Sequence, residues 1–207
     1  MNSVNKDLKR YIENDILPQY ARNDGGHGIE HIKYVIERCF KFLPQFENTN
    51  VNIVYTVAAF HDIAHHIDKR NHETLSAKMF YENEDMKTFF SEEERLIIKE
   101  AIEDHRASSE TSPRSVYGEI ISSADRSTDI NDFLIRTHKY TLKHFPDCSI
   151  PEMIDRAYTH TEEKYGENGY AKHYVKDSEY DEFRENIRKM LSDKTLFEKL
   201  YKEINNI

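Results

Sequence analysis

The segment VNIVYTVAAFHDIAHHI, residues 51–67, is the most apolar stretch of this chain. Its apolar residues recur at helical spacing and predict a helix over about 50–65 that is buried on most of its surface. His61 and Asp62 follow directly after the four-residue apolar run 57–60. A charged carboxylate at the end of a buried stretch is costly unless it is paired or bound to a cation. The segment therefore predicts a central helix with a polar site at its end.

Helical spacing of apolar residues recurs along the rest of the chain. Glycine and proline number only 6 and 5, which is few for a protein rich in sheets or linkers. Ser91 and Glu94 form a capping box, and Pro113 suits the first turn of a helix. With a loop at 23–26, helices are expected at about 4–17, 29–44, 50–65, 128–144, 151–164 and 178–205, and from about 92 and 113. No alternating strand pattern is visible, so the sequence predicts an all-α bundle of about seven or eight helices.

The composition excludes several classes of protein. The formal net charge is −9, whereas a general nucleic-acid binder needs a surplus of lysine and arginine, so no nucleic-acid polymer is expected as a partner. The longest unbroken apolar run is far shorter than the roughly 20 residues that span a bilayer, and no signal peptide is visible. Cys39 and Cys148 lack a neighbouring cysteine. These features predict a reduced, cytoplasmic protein without a membrane contact.

Four short elements combine histidine and aspartate in a way that suggests chemistry. They are His27 with His31, the pair His61–Asp62, the pair Asp104–His105, and Asp125 within Ser123-Ala124-Asp125-Arg126. His27 and His31 lie one helical turn apart and share a face. Imidazole and carboxylate ligands together suit Mn, Fe, Co, Ni or Zn and tolerate Mg. Two aspartates and two neutral histidines would neutralise one divalent ion, so the pattern predicts a metal site.

The order of these elements resembles the HD-domain superfamily of metal-dependent phosphohydrolases, in particular its small stand-alone bacterial members. The matching residues are His31 with Val35, then His61–Asp62, then the distant Asp125. The resemblance covers about residues 20–130 and implies His31, His61, Asp62 and Asp125 as metal ligands. It implies one bound divalent ion, with a second ion left open. It also implies a single domain over 1–207, in which helices of 131–207 pack on the core at 20–130.

The resemblance assigns roles around the metal. An ion activates a bound water for attack on phosphorus, and Asp62 and His65 are the candidate bases. Many members have Glu or Lys where this chain has His65, so proton transfer is the least defined role. Arg126 is a third candidate catalytic residue, and the residues expected to bind substrate are His27, His105, Lys69 and Arg106. Asp104 is interpreted as solvated, and His72, His138, His144, His160 and His173 as surface or packing residues.

The predicted function is hydrolysis of a small phosphate ester, either a nucleotide or a phosphomonoester. One alternative is a catalytically weak regulatory module that binds metal and nucleotide. A less favoured alternative is a zincin-like peptidase, because residues 61–65 read His-Asp-Ile-Ala-His and mimic His-Glu-x-x-His. The expected partner is a small phosphorylated substrate. The oligomeric state is left open, a homodimer included.

Overall fold

The structure is a computed structural model that describes residues 3–23 and 26–207. Helices hold 67% of the described residues, which form no strand, so the all-α prediction is confirmed. The loop expected at 23–26 lies partly outside the described residues, at positions 24 and 25. Within the described ranges, every helix is too short or too polar to cross a membrane.

Ten α-helices follow one another along the described chain. They are α1 (Lys6–Tyr11), α2 (Ile29–Phe42), α3 (Val51–Phe60), α4 (His72–Tyr81), α5 (Glu92–Glu103), α6 (Val116–Ala124), α7 (Ile130–His144), α8 (Ile150–Tyr165), α9 (Ser178–Leu191) and α10 (Lys194–Asn205). A π-helical turn (Ile12–Ile16) and a 3-10 helix (Leu17–Arg22) continue α1, so the helix expected at 4–17 changes its winding midway. Shorter 3-10 helices occur at Leu43–Gln45 and Glu84–Thr88.

Three expected helices have different bounds in the structure. The helix expected at 178–205 is two helices, because the Asp193 side chain accepts the amides of Thr195 and Leu196 and starts α10 anew. The helix expected from 113 begins at Val116, where Ser115 provides the cap. The helix expected to reach 65 ends at Phe60. In addition, α4 was not predicted.

The first compact unit comprises Met1–Asp125 together with His173–Lys176. Helix α3 lies at its centre, packed by α2, α5 and α6, and nearly all of its side chains are buried. The four residues 173–176 return to this unit from much later in the chain. The Tyr174 amide donates to Ser123 Oγ at 2.9 Å, and Gln45 makes two hydrogen bonds to the backbone of Lys176. We call residues 173–176 the strap.

The second compact unit comprises Arg126–Lys172 and Asp177–Ile207 and holds helices α7 to α10. Its core is mainly aromatic and includes Phe133, Tyr165, Tyr180, Phe183, Phe197 and Tyr201. The packing of 131–207 on the core at 20–130, within a single domain, stays a prediction. Cys39, which is buried, and Cys148, which is partly exposed, are not joined by a disulfide in the structure.

Candidate metal centre

The end of α3 brings the pair His61–Asp62 to the interior of the first unit. The helix is apolar on most sides, and both residues remain buried after it ends, with side-chain exposures of 0% and 2%. His61 Nε2 and Asp62 Oδ2 lie 3.6 Å apart. Successive side chains on a regular helix diverge by about 100°. The two side chains nevertheless approach each other at the end of α3.

Two further helix ends complete a first group of candidate ligands. His31 lies in the first turn of α2, whose inner face is buried against α3 and α6. Asp125 follows the last residue of α6. His31 Nε2 lies 3.1 Å from Asp125 Oδ1 and 3.8 Å from Asp62 Oδ2, and His61 Nε2 lies 3.9 Å from Asp125 Oδ1. The structure thus brings together the four residues that the sequence analysis named as ligands.

A second group of candidate ligand atoms lies around Oδ1, the other carboxylate oxygen of Asp62. Asp62 Oδ1 lies 3.2 Å from His72 Nε2 and 3.4 Å from His105 Nε2, and the two nitrogens lie 3.1 Å apart. His72 begins α4, and His105 follows α5 by two residues. His72 is not a surface residue, because its side chain is 12% exposed and lies against Asp62 and His105. The sequence signal that could have found it is weak, since α4 has no clear apolar stripe.

Hydrogen bonds orient three of these imidazoles in the same way. The Nδ1 atoms of His61, His72 and His105 lie at 2.8, 3.1 and 2.6 Å from the carbonyl oxygens of Ala58, Lys69 and Ile102, respectively. A carbonyl can only accept, so Nδ1 carries the proton and the neutral ring presents a lone pair on Nε2. His61 Nε2 is buried and has no hydrogen-bond partner among the described residues. Lone pairs facing one another in a buried place call for a cation.

The distances within the second group fit one bound ion. Two ligand atoms that bind one ion at about 2.1 Å, with an angle of roughly 90–110°, lie about 3.0–3.4 Å apart. The three distances among Asp62, His72 and His105 fall within this range. The distances in the first group, 3.1–3.9 Å, are somewhat longer. The donor atoms of His31, His61 and Asp62 in the first group, and all three of the second group, lie close enough together to hold a divalent metal.

Comparison with protein families identifies the kind of domain that carries this site. The family model described as HD domain matches residues 28–129, close to half of the chain. The chain belongs to the HD-domain superfamily. That superfamily comprises metal-dependent phosphohydrolases, and HD domains bind divalent metals. A search of curated proteins gave no significant match, and neither did a search of solved structures.

The pKa values of the candidate ligands in this HD domain favour a bound positive charge. Burial lowers the pKa of His61 to about 4 and keeps its ring neutral. Burial alone would raise the pKa of Asp62, but the rings of His61 and His105 hold it well below its ordinary value. Burial likewise opposes protonation of His105, but its hydrogen bond to Asp62 prevails and raises its pKa. The pKa of His72 is lowered by burial and by His105 beside it. In the metal-free protein, the Nε2 atom of His105 therefore binds a proton more readily than that of an ordinary histidine.

Two further histidines, His27 and His65, lie beside the candidate ligands. The rings of His27 and His65 stack at 3.6 Å between centroids and 20° between planes. His65 is 5.1 Å from His72, and His27 is 5.7 Å from His31, measured between ring centroids. Six imidazoles thus form a closed circle, in the order His27, His31, His61, His105, His72 and His65.

The cationic residues named by the sequence analysis differ in their surroundings. The Arg106 guanidinium pairs with Glu73 at 3.0 Å and also donates to the Arg70 carbonyl. Lys69 is exposed, and its carbonyl serves His72 as described above. Arg126 is buried in the second unit, where its Nε donates to the Lys172 carbonyl at 3.3 Å. Substrate contacts of these cations stay predictions.

Asp104 has a different role from the expected one. The sequence analysis interpreted Asp104 as solvated, which is wrong, since only 9% of its surface is exposed. Its carboxylate accepts the backbone amide of Arg114 at 2.7 Å and the Arg114 Nε at 3.0 Å. These hydrogen bonds join the two ends of the segment between α5 and α6, next to His105.

The zincin-like alternative requires His61 and His65 on one ion. Of the two ligand groups found among the described residues, one contains His61 and neither contains His65. The helix that would place the two rings on one face ends at Phe60. Nothing in the described structure therefore favours a peptidase.

Proposed function

We propose that this HD domain is a phosphohydrolase whose centre holds two divalent ions. The first ion would be bound by His31, His61, Asp62 and Asp125. The second ion would be bound by Asp62, His72 and His105. The observation that carries the proposal is that the two oxygens of Asp62 face different ligand groups. Asp62 would thus be a ligand shared by both ions.

The donor set favours particular metals. The six residues offer four imidazole nitrogens and two carboxylates, and nitrogen-rich sites prefer Mn, Fe, Co, Ni or Zn over Mg. Two divalent ions bring four positive charges, against two negative charges from Asp62 and Asp125. The loaded centre is therefore cationic within a chain of net charge −9. A cationic centre attracts an anionic ligand such as a phosphate ester.

The bound ions would supply an activated water and would polarise a phosphoryl oxygen. The chain's own residues supply the remaining functions. Asp62 fixes the positions of both groups, and the stacked pair of His27 and His65 lies next to the ligands without belonging to them. We assign this pair the proton that the leaving oxygen needs when its bond to phosphorus breaks. Lys69 and Arg106 are the proposed phosphate contacts within the first unit. The proposed substrate is a nucleotide or a phosphomonoester.

The test is hydrolysis by the metal-loaded protein. Metal-free protein is reloaded separately with Mn, Fe(II), Co, Ni, Zn or Mg and assayed on an aryl phosphate and a panel of nucleotides. We expect turnover with the nitrogen-preferring ions. The variant Asp62→Asn should lose at least about 100-fold in rate, the upper end of what changing a residue next to a ligand removes. Asp155→Asn, an exposed aspartate paired with Lys194, is the matched control.

Two outcomes contradict the proposal. A folded, metal-loaded protein without turnover across the whole panel would favour the regulatory module that the sequence analysis kept as an alternative. A protein that takes up no metal at saturating concentration would exclude both functions.

A further inference from the structure

The backbone that carries the His61–Asp62 pair is not a regular helix. Beyond Phe60, residues 61–67 wind as a succession of tight turns. The amides of Ile63, His65 and Ile67 each donate to the carbonyl three residues earlier, at 3.2, 3.0 and 2.9 Å. These bonds satisfy every second amide of the segment. The amides between them need acceptors from elsewhere, since buried N–H groups are rarely left without a partner.

Side chains from two other parts of the first unit supply those acceptors. The amides of residues 62, 64 and 66 donate to Tyr20 Oη at 3.3 Å, Ser76 Oγ at 3.1 Å and Asn23 Oδ1 at 3.0 Å, respectively. Tyr20 and Asn23 lie in and just after the 3-10 helix that precedes α2. Ser76 lies in α4, one helical turn after His72. We call Tyr20, Asn23 and Ser76 the acceptor triad.

Two members of the acceptor triad also bind carbonyls around the metal ligands. Tyr20 is fully buried, and its hydroxyl donates to the Ala59 carbonyl at 2.9 Å while it accepts the Asp62 amide. The Asn23 amide group donates to the Asp62 carbonyl at 3.0 Å and to the His27 carbonyl at 2.9 Å. Both peptide groups of Asp62 are thus held by side chains outside the ligand set.

Asp62 is the residue for which such support matters most. Its two oxygens must face two ligand groups at once, so a small rotation of its backbone would move one oxygen away from its group. We infer that Tyr20, Asn23 and Ser76 are positioning residues that set the Asp62 carboxylate for both ions. This inference rests on the metal centre of the proposed function. Residues that orient ligands typically change metal affinity by about 10- to 100-fold when they are lost.

The main test is the variant Tyr20→Phe in the full chain, which keeps the buried ring and removes only the hydroxyl. We expect both ions to bind about 10- to 100-fold more weakly, in parallel, because Asp62 serves both groups. The visible spectrum of the Co²⁺-loaded protein should change as well, since it reports the ligand geometry. Affinity is measured by competition with a chelator, and stoichiometry by metal analysis.

The matched control is Tyr201→Phe. That hydroxyl is also fully buried and hydrogen-bonded, to His138 Nδ1 at 2.8 Å, but it belongs to the second unit. The control should lower thermal stability without changing metal affinity or the Co²⁺ spectrum. If Tyr20→Phe does not fold, Ser76→Ala decides the question, because it removes a single oxygen and should also weaken both ions.

The outcomes separate this inference from the proposed function. If the wild-type protein binds two ions and both triad variants bind them with unchanged affinity and spectrum, the acceptor triad is merely structural and the inference is wrong. If the wild-type protein binds no ion, the proposed function itself fails, and the inference fails with it.

Discussion

At the scale of single residues, His72 separates the two ligand groups, because it belongs to the second group alone. Replacing His72 with alanine removes one ligand of the second ion and leaves His31, His61 and Asp125 in place. We expect the metal content to fall from two ions to one per chain. Metal analysis after equilibrium dialysis measures this change. The exposed His144 is the control, and an unchanged content of two ions in His72→Ala would contradict the bridging role of Asp62.

In the second group, a proton and a metal ion compete for the Nε2 atom of His105. The raised pKa of His105 means that its Nε2 in the metal-free protein keeps a proton at a higher pH than an ordinary histidine does. An ion needs this nitrogen deprotonated, so metal affinity should be full above the raised pKa and should fall as the pH drops through it. Titrations between roughly pH 8 and 5.5 bracket the ordinary histidine pKa. Calorimetry in buffers of different ionisation heat should detect proton release, and an affinity independent of pH would contradict the expectation.

The first ligand group could be predicted from sequence because its members fall in a recognisable order. His31, His61–Asp62 and Asp125 each end or begin a helix that its apolar spacing already indicates. His72 could not be predicted in the same way. Its role as a candidate ligand depends on His105, which lies 33 residues later in the sequence and contacts it only in the folded chain. Residue spacing within one helix carries no information about such a contact.

At the scale of elements, helix caps decide several boundaries. Asp193 accepts two amides at the start of α10, so Asp193→Ala should destabilise the second unit by about 1 kcal/mol. Chemical denaturation, followed by circular dichroism, measures the change. Asp193→Ser keeps a capping oxygen and should recover most of the loss. Equal stability of both variants and the wild type would mean that tertiary packing alone starts α10.

The end of α3 shows what apolar spacing cannot predict. Ile63 and Ala64 are apolar and buried, so the sequence pattern continues as a helix past Phe60. The backbone leaves the helix because Tyr20, Asn23 and Ser76 supply acceptors to its amides. These acceptors lie far away in sequence. Tertiary hydrogen bonds thus override the local helix propensity of residues 61–67, the segment that carries His61 and Asp62.

At the scale of the whole molecule, the strap is a non-local part of the first unit. Val175 packs against the apolar core of that unit, and Gln45 holds the backbone of Lys176. The double variant Gln45→Ala and Val175→Ala should lower the free energy of unfolding by about 1–2 kcal/mol. Urea denaturation of the full chain measures this loss. An unchanged midpoint would show that the strap contributes no stability to the first unit.

Composition predicted the class of the whole molecule well, because scarce glycine and proline leave helices as the main choice. The spatial division of the chain is a different matter. Two separate apolar cores, the second of them largely aromatic, are built from residues that look alike in sequence. Periodicity identifies which residues are buried, and it does not identify which core they join.

The strap also bears on how the protein is made. A ribosome releases the chain from its N-terminus, so Asp125 emerges well before His173. At synthesis rates of about 5–20 residues per second, the first unit waits on the order of seconds for its last four residues. During that interval the surface around Ser123 and Gln45 faces water without its partner. All the candidate ligands are thus synthesised before the strap that completes the first unit.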